Sequence, residues 1–212
     1  MTWFVIERSG PKLFRPFYQT AKRVIDLIFC LIAIPVLLPL ALIISIVISL
    51  DSPGPIFYIQ KRIGKGGRVF NIFRFRTLYY EIDRKVHRSL MKAKEGYRWF
   101  EHKQITPIGR ILRQTGLDEI PQLINVFRGE MSLVGPRPGA LWEVEEHEGW
   151  YKEMPRVVPG ITGLAQIRGR SDISLDEIVQ YDLEYIHRQN LGLDLQILWW
   201  TMVSVLRRNN AR

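Results

Sequence analysis

The chain has 212 residues, a formal net charge of +9 and 47% hydrophobic residues. That apolar content excludes a disordered chain, and the basic excess points to an anionic partner: nucleic acid, an anionic membrane surface or a phosphorylated substrate. The single cysteine, Cys30, excludes an intrachain disulfide or thiolate metal site, and four scattered histidines form no zinc pattern, so any catalytic metal is oxygen-ligated, Mg²⁺ or alternatively Mn²⁺.

Residues 1–23 are basic and aromatic, with Phe14, Phe17 and Tyr18 beside Lys12 and Arg15, and are predicted to form an N-terminal interfacial segment. Residues 24–50 form the membrane segment. Its charge-free run, Leu27 to Leu50, would make a helix roughly 36 Å long, enough to span a bilayer. It starts too far into the chain to be a cleavable signal. Pro35 and Pro39 fall near its middle, where each removes a helical hydrogen bond. Both flanks are basic, with Lys22 and Arg23 before the run and Lys61, Arg62, Lys65 and Arg68 after it. The positive-inside rule expects a basic excess on one flank only. The run is therefore predicted to enter the membrane, break at the prolines and return; a tilted span and a buried core helix are the alternatives. Asp26 is expected at the headgroups, paired with Lys22 or Arg23.

Residues 51–212 are predicted to form a cytosolic, membrane-associated catalytic domain. Asp51 to Pro55 is a turn cluster. Ile56–Ile59 and Val69–Phe75 are predicted strands joined by a turn at Gly64–Gly67, which lacks the spacing of a phosphate loop. Residues 79–103 are highly charged and are predicted as helix and loop. Ile105 to Phe127 reads as helical segments interrupted at Gly116 and Pro121. Residues 141–149 suggest a solvated helix face, and Pro159–Gly163 a turn. Leu175 to Arg188 has helical periodicity. Leu191 to Leu206, with Trp199 and Trp200 before Arg207 and Arg208, has the composition of a helix at headgroup level or of a core helix.

Three patches look chemical. In Phe73-Arg74-Phe75-Arg76-Thr77, strand alternation would project Arg74 and Arg76 together, close to Arg62, as a phosphate grip or as a solvated face. In Leu117-Asp118-Glu119-Ile120-Pro121, adjacent carboxylates precede a helix. They would either cap that helix or supply a nucleophile and a metal ligand. In Ser132 to Pro138, one glycine and two prolines fix the backbone around Arg137, as an anion site or as a structural turn.

Together these patches resemble the bacterial sugar transferase family, the monotopic phosphoglycosyl transferases. The likeness runs from Lys22-Arg23-Val24-Ile25-Asp26 through Pro53–Phe57, Gln60–Gly64 and Phe73–Thr77, along Thr106 to Pro138, to Pro159–Gln166 and Gly169-Arg170. It implies an α/β fold, mostly α, with a re-entrant membrane helix-break-helix and a small cytosolic catalytic domain bearing interfacial amphipathic helices. It implies a UDP-sugar donor and undecaprenyl phosphate as acceptor, at the cytoplasmic face of a bacterial inner membrane. Asp118 would attack the donor's β-phosphate, UMP would leave, and the lipid phosphate would take the phosphosugar from the aspartate. Asp118 and Glu119 would hold Mg²⁺. Arg62, Arg74, Arg76, Thr77 and Arg137 would bind substrate phosphate, and Arg168 and Arg170 would touch the nucleotide. Val158 stands where the family usually has Arg or Lys, and Arg156 is the substitute. The chain is expected to be the minimal catalytic unit, serving polysaccharide or glycan assembly beside downstream glycosyltransferases and open to homo-oligomerisation. Segments 79–103 and 139–157 are expected to choose the sugar. The competing readings are a non-catalytic basic scaffold that binds anionic lipid, which would not need Asp118-Glu119, and a nucleic-acid binder. The latter is not expected, because no recognised motif supports it.

Overall fold

The computed structural model describes residues 15–80, 104–139, 156–168 and 174–210. The apolar run lies in helix α1, Arg15–Asp51, whose 37 residues extend about 55 Å along the helical path. Residues 15–23, expected in a separate segment, form its first turns. Pro35 and Pro39 lie inside this one element, where an interruption was expected, and both are exposed. A proline deletes its own N–H bond and crowds the preceding turn, and the bonds on either side keep the segment helical. One face of α1 is buried, through Asp26, Cys30, Ile44 and Ile48, with Leu40 and Ala41 partly covered, at helical spacing.

Strands β1, Phe57–Ile63, and β2, Val69–Phe75, form an antiparallel hairpin that pairs Phe57 with Phe75 and Ile63 with Val69. β1 runs past the expected end at Ile59 because Gln60 to Arg62 also pair across. The hairpin turn is a short 3₁₀ segment, Lys65–Gly67, where Gly66 and Gly67 take φ of 72° and 75°. Side chains rarely tolerate that region, so these glycines set the turn. The interruptions expected at Gly116 and Pro121 are present. Helix α2, Pro107–Thr115, is capped by Thr106, whose hydroxyl accepts from Gly109 N at 2.9 Å, and it ends at Gly116. A 3₁₀ turn follows at Leu117–Glu119, and then helix α3, Gln122–Arg128.

Strands β3, Ser132–Val134, and β4, Gly160–Thr162, pair in parallel. The turn expected at Pro159–Gly163 is thus largely a strand. Gly160 makes this pairing close, since a Cβ there would lie 2.0 Å from Gly135 N. Helices α4, Leu164–Arg168, α5, Leu175–Arg188, and α6, Leu191–Asn210, follow. Ser174 and Glu177 form a capping box on α5, whose bounds are those read from periodicity. The described residues are therefore mostly helical with two small sheets. The predictions for 81–103 and 141–149 fall outside the described residues.

Charged side chains fasten α1 to the rest of the molecule. Lys22 Nζ pairs with Asp194 Oδ2 of α6 at 2.7 Å, and both are largely buried. Arg23 donates to Val126 O and Phe127 O at the C-terminal end of α3. Asp26, expected at the headgroups, is instead buried and accepts from Leu133 N of β3 at 3.0 Å. At the far end, Arg76 donates to Ile48 O, Ser52 O and Pro53 O, and so caps α1.

Candidate active site

Gly116 ends α2 in the left-handed region, with φ of 74°, and turns the chain so that the next three residues form the 3₁₀ turn carrying Asp118 and Glu119. Neither carboxylate caps α3. Its N-cap position is Pro121, without a side-chain cap, so the capping alternative is set aside. Asp118 is only 8% exposed. Burial, and then the neighbouring Glu119, push its pKa from the ordinary 3.8 up to about 6, against the opposing charges of Arg74 and Arg113. Glu119 Oε1 lies 2.8 Å from Arg74 Nη2 of β2, an ion pair about one-third exposed. Arg113 Nε donates to Thr77 Oγ1 at 2.8 Å. Two carboxylates, two guanidiniums and a buried hydroxyl are thus assembled from the end of β2, the end of α2 and one tight turn.

Arg113 was missed in the sequence. Its i+5 relation to Asp118 lies on no helical face, and the turn at Gly116 creates the proximity. The predicted convergence of Arg74 and Arg76 does not occur. β2 ends at Phe75, strand alternation ceases there, and the Arg76 guanidinium (residue 5% exposed) is committed to α1. Thr77 stays with the group through Arg113. Arg62 joins the Arg137 loop instead, donating to Pro138 O at 3.1 Å, while Ile63 N donates to Gly139 O at 3.1 Å. Arg137 N donates to Asp182 Oδ1 at 3.4 Å, a long bond. Arg168 sits on the surface, 2.9 Å from Glu184 and over the Tyr181 ring at 5.4 Å. Arg170 lies outside the described residues, as do 81–103 and 140–155 of the two expected sugar-choosing segments.

Among the described residues no cluster of three or more metal-ligating side chains occurs. Adjacent Asp118 and Glu119 nonetheless fit Mg²⁺, which commonly takes one or two carboxylates and completes its shell with substrate phosphate and water. Glu119 would share its carboxylate with Arg74, whose Nη2 lies against Oε1.

Similarity to known proteins identifies the family. The family model described as bacterial sugar transferase matches residues 17–208. The chain is 36% identical over 210 residues to the exopolysaccharide production protein ExoY of Sinorhizobium fredii, covering 96% of this chain and 92% of that protein. It is 38% identical over 203 residues to a UDP-glucose:undecaprenyl-phosphate glucose-1-phosphate transferase of Xanthomonas campestris, covering 92% of this chain and 40% of the relative. With a UDP-galactose-lipid carrier transferase of Erwinia amylovora it shares 39% identity over 214 residues, 98% of this chain and 45% of the relative. It thus spans less than half the length of the last two proteins and nearly all of the first. On the family match and these identities, the chain belongs to the bacterial sugar transferase family.

Proposed function

We propose that this protein transfers a sugar-1-phosphate from a UDP-sugar to undecaprenyl phosphate. The observation that carries the reading is the buried Asp118 beside Glu119, framed by Arg74 and Arg113. A basic scaffold has no use for a carboxylate buried like Asp118, with a second carboxylate beside it, since burying a carboxylate is costly. In the first step an Asp118 oxygen attacks the donor's β-phosphorus; the bond to the bridging oxygen breaks, and UMP leaves with that oxygen. The phosphosugar is then an acyl phosphate on Asp118. In the second step an oxygen of the lipid phosphate attacks the same phosphorus, and the carboxylate leaves. Arg113 and Arg74 offset negative charge on the transferring group. Asp118 and Glu119 would hold Mg²⁺, which supplies further charge neutralisation at the phosphates.

The same proposal places α1 as a re-entrant helix entering from the cytoplasmic face. Its two ends are tied to one body, Arg23 to α3 and the Ser52 end to Arg76. Cys30 packs with Phe70 and Ile72, and Ile44 and Ile48 pack with Phe75, all on β2. That seven-residue strand covers about 23 Å, less than the roughly 30 Å hydrocarbon core, so a helix flanking it at both ends suits entry and return. Exposed Leu195, Trp199 and Met202 of α6 and Phe127 of α3 would meet the interface.

The test is UMP release from a panel of UDP-sugars by the full chain in nanodiscs, with Mg²⁺ and undecaprenyl phosphate, alongside Asp118→Asn. The expected result is release with one sugar, abolished by the substitution. Activity surviving in Asp118→Asn would refute the covalent step, and silence across the panel from folded protein would refute the transferase reading.

A further inference from the structure

A cavity of about 220 Å³ opens beside the first turns of α1. Its walls come from α1, the hairpin turn, the ends of α3 and α5, the start of β3 and the loop before β4. Neither carboxylate of the candidate active site lines it. Gly129, at the C-terminal end of α3, is on the wall, whereas Asp118 and Glu119 precede the other end of that helix, about 10 Å away along its axis.

The lining carries an excess of cations. Lys22, Arg23 and Lys65 are on the wall, against Asp26. Even counting Asp194 behind Lys22, three cations meet two carboxylates. Arg23 is bonded to neutral carbonyls, which leave its charge uncancelled, and Asp26 already accepts from Leu133 N. The Gln19 and Gln189 side chains add neutral hydrogen-bonding groups. Met131, Val157 and Val158 give the lining apolar groups as well. A drug-sized ligand needs roughly 300–1,000 Å³, so a whole nucleotide sugar is too large, whereas a phosphate ester with its glycerol is not. The level in the molecule also matters. Lys22, Arg23 and Asp26 are the last charged residues before Leu27 to Leu50, so the cavity sits where α1 changes from charged to apolar.

We propose that this cavity binds the phosphate headgroup of an anionic membrane lipid, at a site distinct from Asp118 and Glu119. The proposal rests on the membrane placement of α1. The cations take the phosphate, and Met131, Val157 and Val158 take the first carbons beyond it. The bound lipid bridges α1, the hairpin and α5.

Native mass spectrometry of the full chain released from detergent tests this, with dioleoylphosphatidylglycerol and dioleoylglycerol as probes. The phosphate-bearing lipid should be retained and the diacylglycerol not. Lys65→Gln, at an exposed turn residue, should weaken retention about fivefold, the effect of one cation near a lipid surface. Val158→Phe should abolish it by filling the cavity, while Arg110→Gln, an equal charge change on α2, should not alter it. Undiminished retention in Val158→Phe, or equal loss in Arg110→Gln, would overturn the site. Displacement by millimolar inorganic phosphate would overturn the lipid assignment in favour of a free anion. Asp118→Asn should still retain the lipid. Loss of lipid binding beside intact UMP release therefore sinks this site alone, and retention without donor cleavage sinks the transferase reading alone.

Discussion

Asp118 carries a cost that its chemistry explains. Its pKa of about 6, against 3.8 when free, means that the folded chain holds a proton there which the unfolded chain has released over that window. Stability therefore falls as pH rises from about 4 to 6, and above that the full penalty of about 3 kcal/mol applies. Asp118→Asn should accordingly raise stability at pH 8 by about 1–3 kcal/mol, read from thermal or denaturant unfolding, while donor cleavage is lost. A destabilised Asn variant would mean that the carboxylate is held by favourable contacts and not strained by burial. In the active protein, UMP release should rise with pH through about 6 as Asp118 ionises, and a flat profile from pH 5 to 8 would contradict an attacking carboxylate. Arg74 makes a separate prediction. It occupies Glu119 at 2.8 Å, so metal and guanidinium compete for one carboxylate. An ion pair this exposed is worth at most about 1 kcal/mol. Arg74→Gln should therefore bind Mn²⁺ up to about fivefold more tightly by electron paramagnetic resonance, even as turnover falls. Weaker binding would show that Arg74 organises Glu119 and does not compete for it.

Elements divide by whether their signals are local. The bounds of α5 were legible because its apolar spacing lies within the segment itself. The hairpin was legible because two β-rich runs flank a glycine turn. The direction of Arg76 was not, because strand periodicity extrapolates past Phe75 and nothing local marks where β2 stops. The acceptor role of Asp26 was not legible for a related reason. A charge at the edge of an apolar run resembles a headgroup anchor, and its acceptor role depends on β3, more than one hundred residues away. Arg113 was invisible until the Gly116 turn was in place. Arg76 also makes an element-level prediction. Its guanidinium satisfies several carbonyls at the end of α1, and hydrogen bonds to a buried charge are worth about 1.5–3 kcal/mol each. Arg76→Leu should cost about 3 kcal/mol of stability, and Lys should not restore it because the fork is lost. Full stability in Arg76→Lys would argue that charge alone holds this end.

At the scale of the whole molecule, α1 is tied at both ends to the same body, and the proposed re-entry can be tested by labelling. In a Cys30→Ala background, Thr20→Cys and Lys61→Cys should both react with an impermeant maleimide in inverted inner-membrane vesicles, and neither in right-side-out spheroplasts. Labelling of Thr20→Cys from the opposite face to Lys61→Cys would establish a span. The mostly helical character with short strands was expected from the family resemblance, whereas the fastening of α1 was not legible, since each tie joins positions far apart in sequence. That separation bears on biogenesis. Lys22 meets Asp194 across 172 residues, so the first helix leaves the ribosome long before its partner exists. During synthesis Lys22 and Asp26 must wait in water or among headgroups, and only the arrival of α6 closes the structure over them. A chain halted before Leu191 would keep α1 but lack the tie that seats it, which makes the synthesis of α6 the step that completes α1.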